Sequence, residues 1–229
     1  MNFKNGFTLA EVLITLVIIG IIAAMTIPSL MNKTNEQELV VATKKAYSVL
    51  NQAYQRVMAE NGEIIPSALG SNTQEATTTF GEMFAKQLNT QKICGTSRNG
   101  DCFADGQYKL LSGSPSTNLN IESNYKIRLN DGMSVSLLTL NLFILAGSSE
   151  QLQKTFGEMY VDVNGNKGPN TFGKDTFKFW ITKYGIVPVG ALGDYTSSLT
   201  CSRNDSGTGC TAWVITKGNM DYLYKDISW

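Results

Sequence analysis

The sequence predicts an α+β protein: a long N-terminal helix whose first half is membrane-spanning, with its second half packed on an antiparallel β-sheet head. Three observations predict it. Residues 7–27 are almost wholly apolar, residues 39–57 repeat apolar side chains every three or four positions, and beyond residue 107 the pattern turns to alternation broken by turn dipeptides. A chain of 229 residues has room for one core-bearing domain with such an appendage.

The apolar run from Phe7 to Ile27 comes first. About 21 helical residues at ~1.5 Å each span the ~30 Å hydrocarbon core of a bilayer. A secretory signal would be shorter, with an apolar stretch of roughly 7–15 residues. Lys4 precedes the run and favours a cytoplasmic N-terminus, although Lys33, Lys44 and Lys45 follow it. The run also carries an acid, Glu11. A carboxylate in the bilayer costs roughly 2.5–3.5 kcal/mol on insertion scales, so it demands a partner and a function. No basic residue lies within the run. Cutting the chain between Gly6 and Phe7 would place a new α-amine one helical turn from Glu11.

Past Pro28, where a kink is expected because proline removes a backbone donor and crowds the preceding turn, the periodic positions are Leu39, Ala42, Ala46, Val49, Leu50, Ala53 and Val57. Asn61-Gly62 is the expected stop. A helix from about Phe7 to Glu60 would be roughly 80 Å long. Residues 63–79 read as a surface connection, and Phe80, Met83, Phe84 and Leu88 resume helical spacing as a core stripe.

Strands are expected from Gln107 onward. Tyr125, Ile127 and Leu129 alternate, Asp131-Gly132 turns the chain, and Met133, Val135 and Leu137 alternate again. Met159–Val163 and Thr176–Thr182 are a second candidate pair, while 141–155 and 191–210 carry no clear pattern. Trp213, Tyr222, Tyr224 and Trp229 near the C-terminus are expected to pack or cap the domain.

Four cysteines form two local pairs, each around turn-forming residues. Three pairings are possible, and the short loops favour Cys94–Cys102 and Cys201–Cys210. The spacing suits neither a CxxC redox pair nor a zinc site, and disulfides imply an oxidising compartment.

Composition excludes several functions. There is no histidine, so Ser-His and Cys-His nucleophile systems and His-containing zinc sites are out. Basic and acidic side chains number 19 each, with no basic–aromatic cluster, which argues against nucleic acid as a partner. No enzymatic site can be named. One loop holds candidate metal ligands: Asp162, Asn164, Asn166 and, later, Asp175 set oxygens at alternating positions around a turn, as a calcium loop does. Gly165 stands one place too early for an EF-hand, no Glu closes the loop, and Lys167 adds opposing charge. The competing reading is an Asx- and Gly-rich turn capping its own backbone.

Gly6-Phe7-Thr8-Leu9-Ala10-Glu11, followed by the apolar run and Pro28, resembles the processing and assembly segment of type IV prepilins and type II secretion pseudopilins over about residues 4–30. The resemblance implies a leader at 1–6, a transmembrane assembly helix at 7–28, its amphipathic continuation at 29–62 and an exported head at 63–229. It implies cleavage after Gly6 by a prepilin peptidase, methylation of the Phe7 amine, and a contact between Glu11 and a neighbouring subunit's N-terminus. The implied partners are other pilin-like subunits, the membrane and an inner-membrane assembly platform. The implied location is the cytoplasmic membrane, then a filament in the periplasm or on the cell surface. Calcium also enters here, because some pseudopilins carry such a loop late in the head. A minor or competence pilin binding DNA or a surface is the alternative within this frame, and the sequence does not choose between pilus and pseudopilus.

Overall fold

A computed structural model describes residues 8–62, 73–98, 100–104, 106, 108–116, 119–143, 149–150, 152–191 and 201–227. The chain divides into two compact units, 1–38 and 39–229, and each is described by itself. Helix α1 runs Leu9–Asn61, with Pro28 inside it. It ends where Gly62 turns left-handed at φ 70° and returns its N–H to the Met58 carbonyl at 2.9 Å, a conformation glycine adopts at no steric cost.

In the second unit, α2 (Gln74–Lys86) is followed by six strands: β1 (Thr90–Gly95), β2 (Tyr125–Leu129), β3 (Ser134–Phe143), β4 (Thr155–Asp162), β5 (Thr176–Thr182) and β6 (Gly185–Pro188). A short helix, α3 (Thr211–Lys217), follows. The sheet order is β1-β2-β3-β4-β5-β6 and each neighbouring pair is antiparallel.

Strand alternation splits the sheet into two faces. The rows Ile127–Val135–Val161–Phe177 and Tyr125–Leu137–Met159–Phe179 share one core with Val40, Ala46, Leu50, Ala53, Tyr54 and Val57 of α1 and Phe80 and Phe84 of α2. Tyr47 stacks on Phe179 with centroids 6.1 Å apart. The opposite face is mixed. Two of its rows, Lys126–Ser136–Tyr160–Lys178 and Arg128–Ser134–Asp162–Thr176, are mostly polar, and a third, Leu138–Glu158–Trp180–Val187, carries a small apolar cluster of Trp180 with Leu152, Val187 and Val189. Phe103, Tyr108, Leu119 and Phe172 form a smaller core packed against Tyr160 on that face.

Several expectations are corrected here. The buried stripe of α1 is centred on Val40, Thr43, Ala46, Leu50, Ala53, Tyr54 and Val57, whereas Leu39, Ala42 and Val49 are only partly buried. The shift arises because Thr43 occupies a core position, its hydroxyl satisfied by the Leu39 carbonyl at 2.7 Å; counting apolar residues alone passes over it. Helix α2 begins at Gln74, inside the expected connection, because Thr73 accepts from the Ala76 N–H at 3.1 Å as an N-cap.

The described residues between 108 and 124 form no strand. They hold turns and isolated bridges, Lys109 to Pro115 and to Thr171, and lay Tyr108 and Leu119 over the polar rows. Lys126 anchors this cover: it is buried, and its Nζ donates to the carbonyls of Ile121 (2.7 Å) and Asn124 (2.9 Å). Burial lowers its ammonium to about 8, against an opposing pull from Glu122.

Among the described residues of 141–155 and 191–210, β3 reaches Phe143, single 3-10 turns form at Leu152–Lys154 and Thr208–Cys210, and β4 starts at Thr155. Both disulfides pair as the spacing favours, Cys94 with Cys102 and Cys201 with Cys210. Trp213 and Tyr222 are buried while Tyr224 is exposed; Trp229 lies outside the described residues.

Candidate functional site

Within the first unit, the described part of α1 begins with a reciprocal cap. The Glu11 carboxylate accepts from the Thr8 N–H at 2.8 Å and from the Thr8 hydroxyl at 2.8 Å, while the Glu11 N–H donates to the Thr8 hydroxyl oxygen at 3.3 Å. This is a capping box, in which a Ser or Thr and a Glu three residues later satisfy helix N–H groups that have no partner within the helix. Thr8 is therefore a site residue that the sequence reading passed over. The signal was present as Thr8-Leu9-Ala10-Glu11 ahead of an apolar run. The acid consequently has neutral donors of its own chain, whatever else meets it. Gly6 and Phe7, the expected processing positions, lie outside the described residues.

Beyond the cap, Leu13, Ile14, Leu16, Val17, Ile18, Ile19, Ile21 and Ile22 are all exposed, so the surface is apolar all round. This is a helix long and apolar enough to cross a membrane. Its threonines do not present bare hydroxyls: Thr15 donates to the Val12 carbonyl at 2.9 Å and Thr26 to Ile22 at 2.9 Å. The helix continues across Pro28, which leaves the Ala24 carbonyl without its usual donor.

In the head, the expected metal ligands fall on the β4–β5 connection, at the end of the polar row. Asp162 and Asp175 are both fully buried. The Tyr108 hydroxyl donates to Asp162 at 2.6 Å, and the Asn164 N–H donates to it at 3.2 Å. Asp175 accepts from the N–H groups of Asn170 and Thr171, each at 2.7 Å, and from the Asn164 amide at 3.2 Å. Asp162, Asn164 and Asp175 therefore come together. Asn166 instead accepts from the Arg128 guanidinium, which also donates to the Cys102 carbonyl at 3.1 Å. The Ser134 hydroxyl donates to that same carbonyl, tying the first disulfide to the row.

Burial pushes the Asp162 carboxyl up to about 7; the Tyr108 hydrogen bond opposes the rise and the Asp175 charge adds to it. Asp175 is raised as well, first by burial and against the donors it accepts from. The two buried acids share a pocket of backbone and side-chain donors. The side-chain oxygens of Asn164 and Asn170 are also buried there without a hydrogen-bond partner. The described residues contain no group of three or more acidic, Cys or His side chains placed to hold a metal.

Comparison with known proteins bears on the N-terminal end. The prokaryotic N-terminal methylation motif matches residues 1–27. Two fimbrial proteins of Pseudomonas aeruginosa are each 36% identical to this chain over 74 residues, which is 32% of this chain and 47% of the relative. The chain thus spans about half the length of the curated relatives it matches. No solved structure matches.

Proposed function

We propose that this chain, type IV pilin-like in its N-terminal segment, is a non-catalytic filament subunit that is cut after Gly6 and assembled through its first helix. The carrying observation is the pairing of an all-round apolar helix with one capped acid at its start. The apolar surface serves two environments in turn: lipid while the subunit waits in the cytoplasmic membrane, and neighbouring helices once it is packed. Exchanging one for the other changes little in apolar burial, so the single carboxylate has a large say in when and in what register the exchange occurs.

In this reading a prepilin peptidase frees the Phe7 amine, which is methylated, and the amine of one subunit meets Glu11 of another. An assembly platform in the inner membrane lifts the subunit out, and the head is exported before it reaches the filament. Pro28 gives the helix a place to bend as it packs. The disulfides support an exported head. Mass spectrometry of the chain from its native membrane tests the first step: the expected N-terminus is methylated Phe7, and working filaments that retain Met1–Gly6 would end the proposal.

Between a surface pilus and a secretion pseudopilus, sheared filaments viewed by electron microscopy and probed for this chain decide: long fibres mean a pilus, and short or absent ones with blocked export mean a pseudopilus. A minor pilin that holds DNA would retain it in a salt-sensitive way.

Calcium belongs to the same proposal. Asp162, Asn164 and Asp175 would hold it, with Asn170 added and Asn166 engaged by Arg128; the buried acids supply charge and the two unpartnered amide oxygens supply neutral ligands. The ion would neutralise the pair and stiffen the loop. Calcium should raise the melting temperature of wild type and leave Asp162→Ala unmoved. An unmoved wild type means that the hydrogen bonds alone hold the loop.

A further inference from the structure

Every open sheet has two edges that can accept another strand, and proteins that stay unaggregated block them. Strand β6 is one edge here. Its pairing with β5 leaves the N–H and C=O of Ile186 directed away from the sheet, and both are taken by one side chain. The Ile186 N–H donates to Asn51 Oδ1 at 3.1 Å, and Asn51 Nδ2 donates to the Ile186 carbonyl at 3.4 Å. The side-chain amide of α1 thus imitates one residue of a seventh strand.

Three neighbours complete the arrangement. Pro188, which pairs with Phe179 as Ile186 pairs with Ile181, has no N–H to offer. Gly185, at φ 146°, leaves space beside the amide, since a Cβ there would come within 3.2 Å of Asn51 Oδ1. One turn along α1, the Tyr54 hydroxyl sits 2.7 Å from the Thr182 carbonyl and 3.0 Å from that of Lys183, fixing the β5–β6 turn to the helix. At the other edge, β1 has two register shifts within six residues and carries Lys92, both of which discourage strand addition.

We propose that Asn51 is an edge-closing residue that prevents a second copy of this chain from adding a strand at β6, so that subunits meet through surfaces other than the sheet. This inference does not depend on the processing or calcium readings. The competitor it excludes is an extended segment of another head supplying one N–H and one C=O opposite Ile186.

The test uses the full chain in detergent micelles. Asn51→Ala and the similarly sized Asn51→Leu are compared with wild type by amide hydrogen exchange at Ile186 and by light scattering across a dilution series. Wild type should protect the Ile186 amide. At high dilution both variants should exchange it about tenfold faster or more, as a lost closing hydrogen bond does. As concentration rises they should associate beyond wild type and recover that protection. Variants that associate while the Ile186 amide keeps its wild-type rate at dilution would overturn the proposal, because another surface is then responsible. So would faster exchange without added association at any concentration. If Asn51→Ala loses its melting transition, Asn51→Leu, which fills the same space, carries the same two outcomes.

Discussion

Glu11→Ala is expected to leave the chain inserted in the membrane and cut after Gly6, while its incorporation into filaments falls more than tenfold. Removing one partner of a desolvated charge pair typically costs about 2–5 kcal/mol, and each ~1.4 kcal/mol is a factor of ten in an equilibrium. The capping box sharpens this expectation. Thr8 donates twice to the Glu11 carboxylate, so Thr8→Val removes the hydroxyl donor but keeps the backbone N–H and the charge. Its incorporation should fall by less than that of Glu11→Ala, with cleavage again intact. Immunoblots of sheared filaments against membrane-retained chain give both numbers. Normal filament yield from Glu11→Ala would remove the proposed amine contact altogether. Equal losses from both variants would mean that the cap, rather than the charge, is what assembly requires.

The second large effect lies in the head. Gly190→Ala should destabilise the fold by about 3 kcal/mol, the sum of a left-handed backbone at roughly 1–2 kcal/mol and overpacking at roughly 1–3 kcal/mol. Gly190 sits at φ 84°, and a Cβ there would run into the Gly209 carbonyl oxygen, a backbone atom that no rotamer change can move aside. Gly207, at φ 79°, faces the Phe172 carbonyl in the same way. These close approaches seat the Cys201–Cys210 loop against the end of β6 and the acidic loop. Gly113→Ala is the control: its φ is 88°, but nothing lies within 4 Å of the added atom, so it should cost only the backbone part. Denaturant melts compare the two. A Gly190→Ala chain no less stable than Gly113→Ala would show that the contact yields without cost. Against the 5–15 kcal/mol that typically holds a domain together, a loss of this size would be plain in the denaturation midpoint.

The polar rows of the sheet show why part of the head could not be read in advance. Strands β2, β3, β4 and β5 announced themselves by alternation, because each buries a whole apolar row against α1 and α2. Strand β1 did not, since an exposed, bulged edge has no apolar face to alternate. Nor did the segment 108–124, whose Tyr108 and Leu119 cover polar residues and so carry no period. Among the candidate ligands, Asp162, Asn164 and Asp175 converge while Asn166 does not. Arg128, which draws it away, lies on a strand far off in sequence.

By itself the sequence determined the local and covalent features. These are an apolar span with its acid, a helix stop at Gly62, hairpin strands with the right periods, and cysteine pairs close enough to bridge, each set by neighbours within a turn or two. The tertiary structure alone decided the rest: Thr43 inside the core, Lys126 buried beneath a cover of loops, Arg128 beside Asn166, and Asn51 closing the last strand. Those choices depend on which distant backbone groups arrive unsatisfied at one place, and no local pattern of residues records that.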